Sequence, residues 1–95
     1  MPLFALIARD LPDLERRREI RPAHIQHMDG LEAARRVRYG GPLLNENTEV
    51  VGSLIILEAE DLEAAKETFG RDPYVTNGVF DHYDVVETRQ IYPKA

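Results

Sequence analysis

The run VVGSLIILEA at residues 50–59 restricts the fold more than any other part of the chain. In an extended chain Val51, Ile55 and Leu57 point to one side, and Val50, Leu54 and Ile56 point to the other. A strand here is therefore apolar on both faces. Residues 2–9 repeat the pattern, with Leu3, Ala5 and Ile7 opposed to Phe4, Leu6 and Ala8. Strands that are greasy on two sides must be covered twice, so helices on one face alone will not satisfy them.

The remaining segments supply those helices. After the turn signal Asp10-Leu11-Pro12-Asp13, the positions Ile20, His24, His27/Met28, Leu31, Ala34 and Val37 recur at helical spacing and predict a helix over residues 21–37, with Pro22 in its first turn. A longer helix from Asp13, kinked at Pro22, is the alternative. Gly40-Gly41-Pro42 is a stop signal. A short strand is expected over 39–44, and Asn45-Glu46-Asn47-Thr48 then makes a polar turn. Asp61 is placed to cap a second helix over 62–69, with Leu62, Ala65 and Phe69 as its buried stripe and Gly70 at its end. Asp72-Pro73 opens a helical turn, Asn77-Gly78 is a turn, and a closing strand spans 79–92.

Strand–helix–strand–strand–helix–strand is the ferredoxin-like split βαβ order, an α+β fold with one antiparallel sheet. Right-handed crossovers put both helices on the same face of that sheet. The opposite face is left bare, and soluble monomers rarely expose large apolar patches. The expectation is one domain over residues 1–95 that pairs with a second copy, sheet to sheet, as a homodimeric α+β barrel with a crevice beside His24.

Composition narrows the partners. A net charge of −5 argues against nucleic acid, which needs a basic footprint. The arginines at 35, 36 and 38 read as a solvated helix face. No cysteine is present, which removes thiolate chemistry and disulfides and fits a reducing cytoplasm. The apolar N-terminal run is too short to span a bilayer and lacks a basic leader, so no membrane role is expected.

Chemistry is confined to a few side chains. Ser53 is the sole serine and sits in mid-strand, which is wrong for a nucleophile elbow but suits a pocket wall beside Gly52. His24, His27 and His82 lack metal-site spacing, so no metal is expected; His27 reads as a helix-edge residue and His82 as structural or exposed. The run Glu15-Arg16-Arg17-Arg18-Glu19 reads as a solvated segment, with an anion clamp as the sharper alternative. His24, on the apolar stripe of the long helix, is the exception. The predicted topology brings the loop carrying Asp72 to the same end of the sheet as His24. A carboxylate on one imidazole nitrogen fixes the tautomer and makes the other nitrogen a general base.

Arg21-Pro22-Ala23-His24, Gly41-Pro42, Gly52-Ser53, Leu62-Glu63-Ala64-Ala65, Asp72-Pro73-Tyr74 and Gly78-Val79 fall in an order and spacing that resemble the YCII-related (YciI-like) family across essentially the whole chain. The resemblance implies a ferredoxin-like subunit in a dimeric α+β barrel. It also implies a His–Asp pair in a pocket, mapped onto His24 and Asp72, with Ser53 at a pocket-lining position. The enzyme-like members resemble lyases or isomerases that move protons on aromatic or lactone-type substrates without metal or organic cofactor; Arg21, Ser53 and Tyr74 would then position substrate. A non-catalytic module that binds a small ligand or serves another protein is the alternative. The loop at 43–49 is shorter than in many members, a departure that falls on the pocket rim.

Overall fold

The structure, a computed structural model, describes residues 1–94. Its elements are β1 (Leu3–Asp10), α1 (Leu14–Ala33), β2 (Val37–Leu44), β3 (Val50–Glu58), α2 (Leu62–Gly70), α3 (Pro73–Thr76) and β4 (Phe80–Thr88). The four strands form one antiparallel sheet in the order β2-β3-β1-β4, the ferredoxin-like arrangement. The two doubly apolar segments are its central strands, as their composition requires.

Register sorts the faces. Leu6 lies opposite Ile55 on one side and Val85 on the other, and Phe4 lies opposite Leu57. Phe4, Leu6, Ala8, Ile55 and Leu57 point to the helices and form the core with Ala65 and Phe69 of α2, Tyr74 of α3, and Phe80. Ile20, Met28 and Leu31 of α1 pack against this cluster. Ile7 opposite Leu54, and Ala5 between Ile56 and Val86, occupy the other face. There Ile7 is 44% and Val86 46% exposed. Gly52, opposite Arg9, sits where β3 approaches β1 so closely that a Cβ would lie 2.0 Å from the Ala8 carbonyl oxygen.

Four boundaries differ from the sequence expectation. α1 begins at Leu14 rather than Arg21, the longer of the two helices the sequence allows, because Asp13 caps it through Oδ1, 3.1 Å from Arg16 N. Pro22 is accommodated inside the helix on its exposed side, where the orphaned carbonyl can meet water. α1 ends at Ala33, not at the glycines. Arg35 takes a left-handed φ of 59° there, its N–H donating to Glu32 O (2.9 Å) and that of Arg36 to Leu31 O (3.0 Å). This is a Schellman cap with arginine in the place glycine usually takes. Gly40-Gly41-Pro42 therefore lies within β2, an edge strand that tolerates proline. β4 stops at Thr88, which faces Leu3 at the start of β1; beyond that its neighbour has run out, so Ile91 and Tyr92 are exposed.

Side chains also depart in two places. Leu62 is exposed, and Thr68 joins Ala65 and Phe69 on the buried stripe of α2. Arg36 lies off the helix, with Nε bonded to Glu58 O (3.2 Å) and a terminal nitrogen to Thr68 Oγ1 (3.1 Å).

Candidate active site

The site is built on one stripe of α1. Arg17 and His24 stand two turns apart on that stripe and both meet the Tyr74 ring. The helix is anchored here by α3, which packs on α1.

α3 is a single turn started by Asp72 with Pro73 at its first position. Asp72 Oδ1 accepts from Tyr74 N at 2.9 Å. The same carboxylate receives His24 Nδ1, at 2.8 Å from Oδ1 and 3.0 Å from Oδ2. Asp72 is only 1% exposed, and its carboxyl oxygens are met by two partners, the Tyr74 N–H and His24 Nδ1. Where the carboxylate is ionised it only accepts, and Nδ1 then carries the shared proton. The lone pair of the neutral ring is thereby left on Nε2.

Tyr74 stacks on the imidazole with centroids 3.9 Å apart and planes 12° from parallel. Phe80 meets Tyr74 edge-on at 5.8 Å. Burial pushes the Tyr74 phenol up from its ordinary pKa, Arg17 and Arg21 pulling partly back, so the hydroxyl stays protonated near neutrality. The Arg17 guanidinium sits 4.6 Å from the Tyr74 centroid. One of its nitrogens holds both oxygens of Asp10 at 2.7 and 2.8 Å, and the other donates to Ser53 Oγ at 2.9 Å. Arg17 is 9% exposed and Ser53 2%.

A hollow of about 1080 Å³ opens between α1 and the β2–β3 half of the sheet. His24, Tyr74, Ser53 and Arg17 line it, with Ile25, Met28, Val37 and Ile55 as apolar wall. Arg18 and Arg21 stand at it as exposed cations, and Thr48 and Glu49 of the β2–β3 connection form part of its lining. This hollow lies on the helix-covered side of the sheet, open to one side, and is lined by residues of α1, β2 and β3 and by Tyr74 of α3.

All five residues singled out from sequence gather here. His24, Tyr74, Ser53 and Arg21 face the hollow, while Asp72 stands behind the imidazole. Arg17 was missed, because a helix begun at Arg21 leaves it in a solvated arginine run. Extending the spacing of Ile20, His24 and Leu31 backwards lands on position 17 and is the signal that finds it. His27 is half-buried beside the pair; burial lowers its pKa, Asp72 raises it in part, and His24, Arg36 and Arg71 lower it further. His82 is exposed, opposite Arg9 in the sheet, with its Nδ1 3.1 Å from a carboxylate oxygen of its neighbour Asp81. Among the described residues, no group of three His, Asp or Glu side chains is arranged to hold a metal, and no helix is long and apolar enough to cross a membrane.

Fold and site together define a small α+β protein with a histidine, paired with a buried carboxylate, set in a hollow between helix and sheet. The chain belongs to the YCII-related domain family, whose model matches residues 2–89. Protein YciI of Escherichia coli is 34% identical over 97 residues, covering 95% of this chain and 99% of that protein. The derivative of benzaldehyde biosynthesis cluster protein C of Emericella nidulans is 36% identical over 73 residues, covering 70% and 74%. Among solved structures, 5-chloro-2-hydroxyhydroquinone dehydrochlorinase (TftG) from Burkholderia phenoliruptrix, in complex with 2,5-dihydroxybenzoquinone, superposes with a TM-score of 0.82 at 26% identity, covering 93% of this chain and 94% of that one. The fold is thus shared with a small-molecule enzyme.

Proposed function

We propose that this protein is a lyase- or isomerase-type enzyme that moves a proton on a small hydroxylated aromatic or lactone-like substrate, without metal or organic cofactor. His24 is its general acid–base and Asp72 the partner that orients it. The observation that carries this reading is the 2.8 Å contact of His24 Nδ1 with a buried carboxylate, in a ring that lines the hollow; a proton held at Nδ1 makes Nε2 the basic nitrogen. In an elimination, Nε2 takes the substrate proton. The bonding pair enters the ring system, the leaving group departs with its own pair, and the imidazolium then releases the proton to water. No external oxidant or reductant enters. Positioned acid–base catalysis of this kind contributes about 10²–10⁴-fold. Arg21, Ser53 and Tyr74 position the substrate, and the dehydrochlorinase activity named for TftG supports the substrate class.

A panel of hydroxyhydroquinones, with and without chlorine, and of small lactones tests the proposal through halide release and change in absorbance. Turnover that falls by that factor in His24→Ala and Asp72→Asn is the expected result; turnover unchanged in both removes the catalytic assignment. Tight binding with no turnover across the panel would favour a non-catalytic ligand-binding module.

The bare sheet face belongs to the same proposal. Leaving Ile7, Leu54, Ile56 and Val86 wet forfeits about 25 cal/mol for each Å² of apolar surface. A second copy presents the same patch, and two such faces related by a twofold axis cover each other without any other partner. Sedimentation at micromolar concentration should give a dimer, and Ile7→Glu should give a monomer; a monomeric parent protein rules the pairing out. An acidic, cysteine-free chain of this kind is suited to the cytoplasm.

A further inference from the structure

Ser53 is only 2% exposed and lines the hollow, and the one hydrogen bond given for its side chain among the described residues is made as acceptor. Its oxygen is already engaged, accepting from Arg17 at 2.9 Å. A hydroxyl has one proton and two lone pairs, so an incoming N–H leaves the O–H free to turn outward. The Arg17 bond also polarises that O–H, because hydrogen bonds in a chain strengthen one another. Arg17 itself is not free to pair with a ligand: Asp10 holds its other terminal nitrogen through both carboxylate oxygens, within a nearly buried ion pair.

We infer that Arg17 and Ser53 form an oxyanion subsite in which Ser53 donates its hydroxyl to a substrate phenolate, enolate or carboxylate oxygen and Arg17 is the positioning residue that sets the polarity of that hydroxyl. The inference rests on reading the hollow as a substrate site and adds a requirement to it. The substrate must carry two functional positions, an acidic proton facing His24 and an anionic oxygen facing Ser53. A hydroxylated ring bearing two or more oxygens meets that demand. A hydrocarbon ring with a single neutral substituent does not. Ligand sites commonly span about 300–1,000 Å³, so the hollow has room for one such ring against Ser53 and His24, which both line it. Arg18 and Arg21, exposed cations lining the same hollow, add a general attraction for anions, and Ser53 supplies the directional hydrogen bond.

Two quinones of similar shape separate these contributions. 2,5-Dihydroxybenzoquinone is ionised at neutral pH, whereas 2,5-dimethoxybenzoquinone has no acidic O–H. Their dissociation constants are measured by calorimetry on the full chain, on Ser53→Ala, on Arg17→Lys and on Arg21→Gln. One hydrogen bond to a charged group is worth about 10- to 100-fold in affinity. The parent protein should prefer the anion by at least about that factor, and Ser53→Ala should lose most of the preference. Arg17→Lys keeps a cation for Asp10 but has no second nitrogen for Ser53, so it should lose the preference in step. A purely structural role for Arg17 would lower stability and leave the ratio of the two constants intact. The subsite is overturned if Ser53→Ala keeps the preference, if Arg21→Gln alone abolishes it, or if the parent protein has none. Because these readouts are affinities, His24-dependent turnover can survive their failure, and they can hold where turnover is absent.

Discussion

His24 and Asp72, 48 residues apart in the chain, meet at 2.8 Å with the carboxylate buried and the imidazole stacked on Tyr74. Asp72 has a structural duty as well, capping the turn that carries Tyr74. Replacing it therefore has two separable effects. Asp72→Asn keeps an oxygen for the Tyr74 N–H and so should preserve the fold, while its amide no longer enforces the Nδ1–H tautomer. The value of kcat should fall by about 10²–10⁴ with KM changed little, as steady-state kinetics would show. A comparable rise in KM alone would mean that Asp72 serves binding.

His27 supplies a pH dependence. Its folded pKa lies below the usual histidine value, chiefly through burial. The unfolded state thus takes up a proton first as pH falls. The stability associated with a neutral His27 is complete above about pH 6.5 and is lost as pH drops from there through the lower folded value. Denaturant midpoints measured between pH 7.5 and pH 5 should fall more for the parent protein than for His27→Gln. Parallel profiles would remove His27 from the cause.

Two backbone positions make opposite predictions. At Gly52 a Cβ would sit 2.0 Å from the Ala8 carbonyl oxygen, in a sheet centre that cannot move aside. Gly52→Ala should destabilise by more than about 2 kcal/mol, in the range reserved for strain and overpacking. At Arg35 the left-handed φ suits glycine better, and the side chain is exposed. Arg35→Gly should stabilise by up to about 1 kcal/mol. Thermal unfolding of the two variants decides both.

Arg17 and Asp10 are a buried pair whose partners depend on each other. Arg17→Met alone leaves a carboxylate without its cation and should cost about 3–5 kcal/mol. Arg17→Met combined with Asp10→Leu should recover much of that loss in chemical denaturation. Additive losses would show that the pair is not coupled.

The sheet and the His–Asp pair were legible in the sequence because they rest on periodicity and on chain order. Two strands apolar on both faces had to be central, and an imidazole on a buried stripe had to meet whatever the topology brought beside it. What stayed hidden depended on contacts between distant segments. Pro22 looks like a helix start, yet the Asp13 cap and the packing of Arg17 and Ile20 carry the helix through it. Gly40-Gly41 looks like a helix stop, yet Arg35 had already closed the helix and the glycines lie in an edge strand. Arg17 is indistinguishable from its neighbours Arg16 and Arg18 until Asp10 and Ser53 are known to face it. The location of the hollow follows from how far α1 stands off β2, which no local pattern records.

The ring-nitrogen state of His24 is the most direct measurement. Long-range proton–nitrogen NMR spectra, recorded at a pH where the histidines are neutral, distinguish a protonated from a bare nitrogen at each position. With Asp72 in place, Nδ1 of His24 should carry the proton and Nε2 the lone pair, and Asp72→Asn should abolish that preference. A proton on Nε2 of His24 in the parent protein would leave no base facing the hollow and would contradict the assignment.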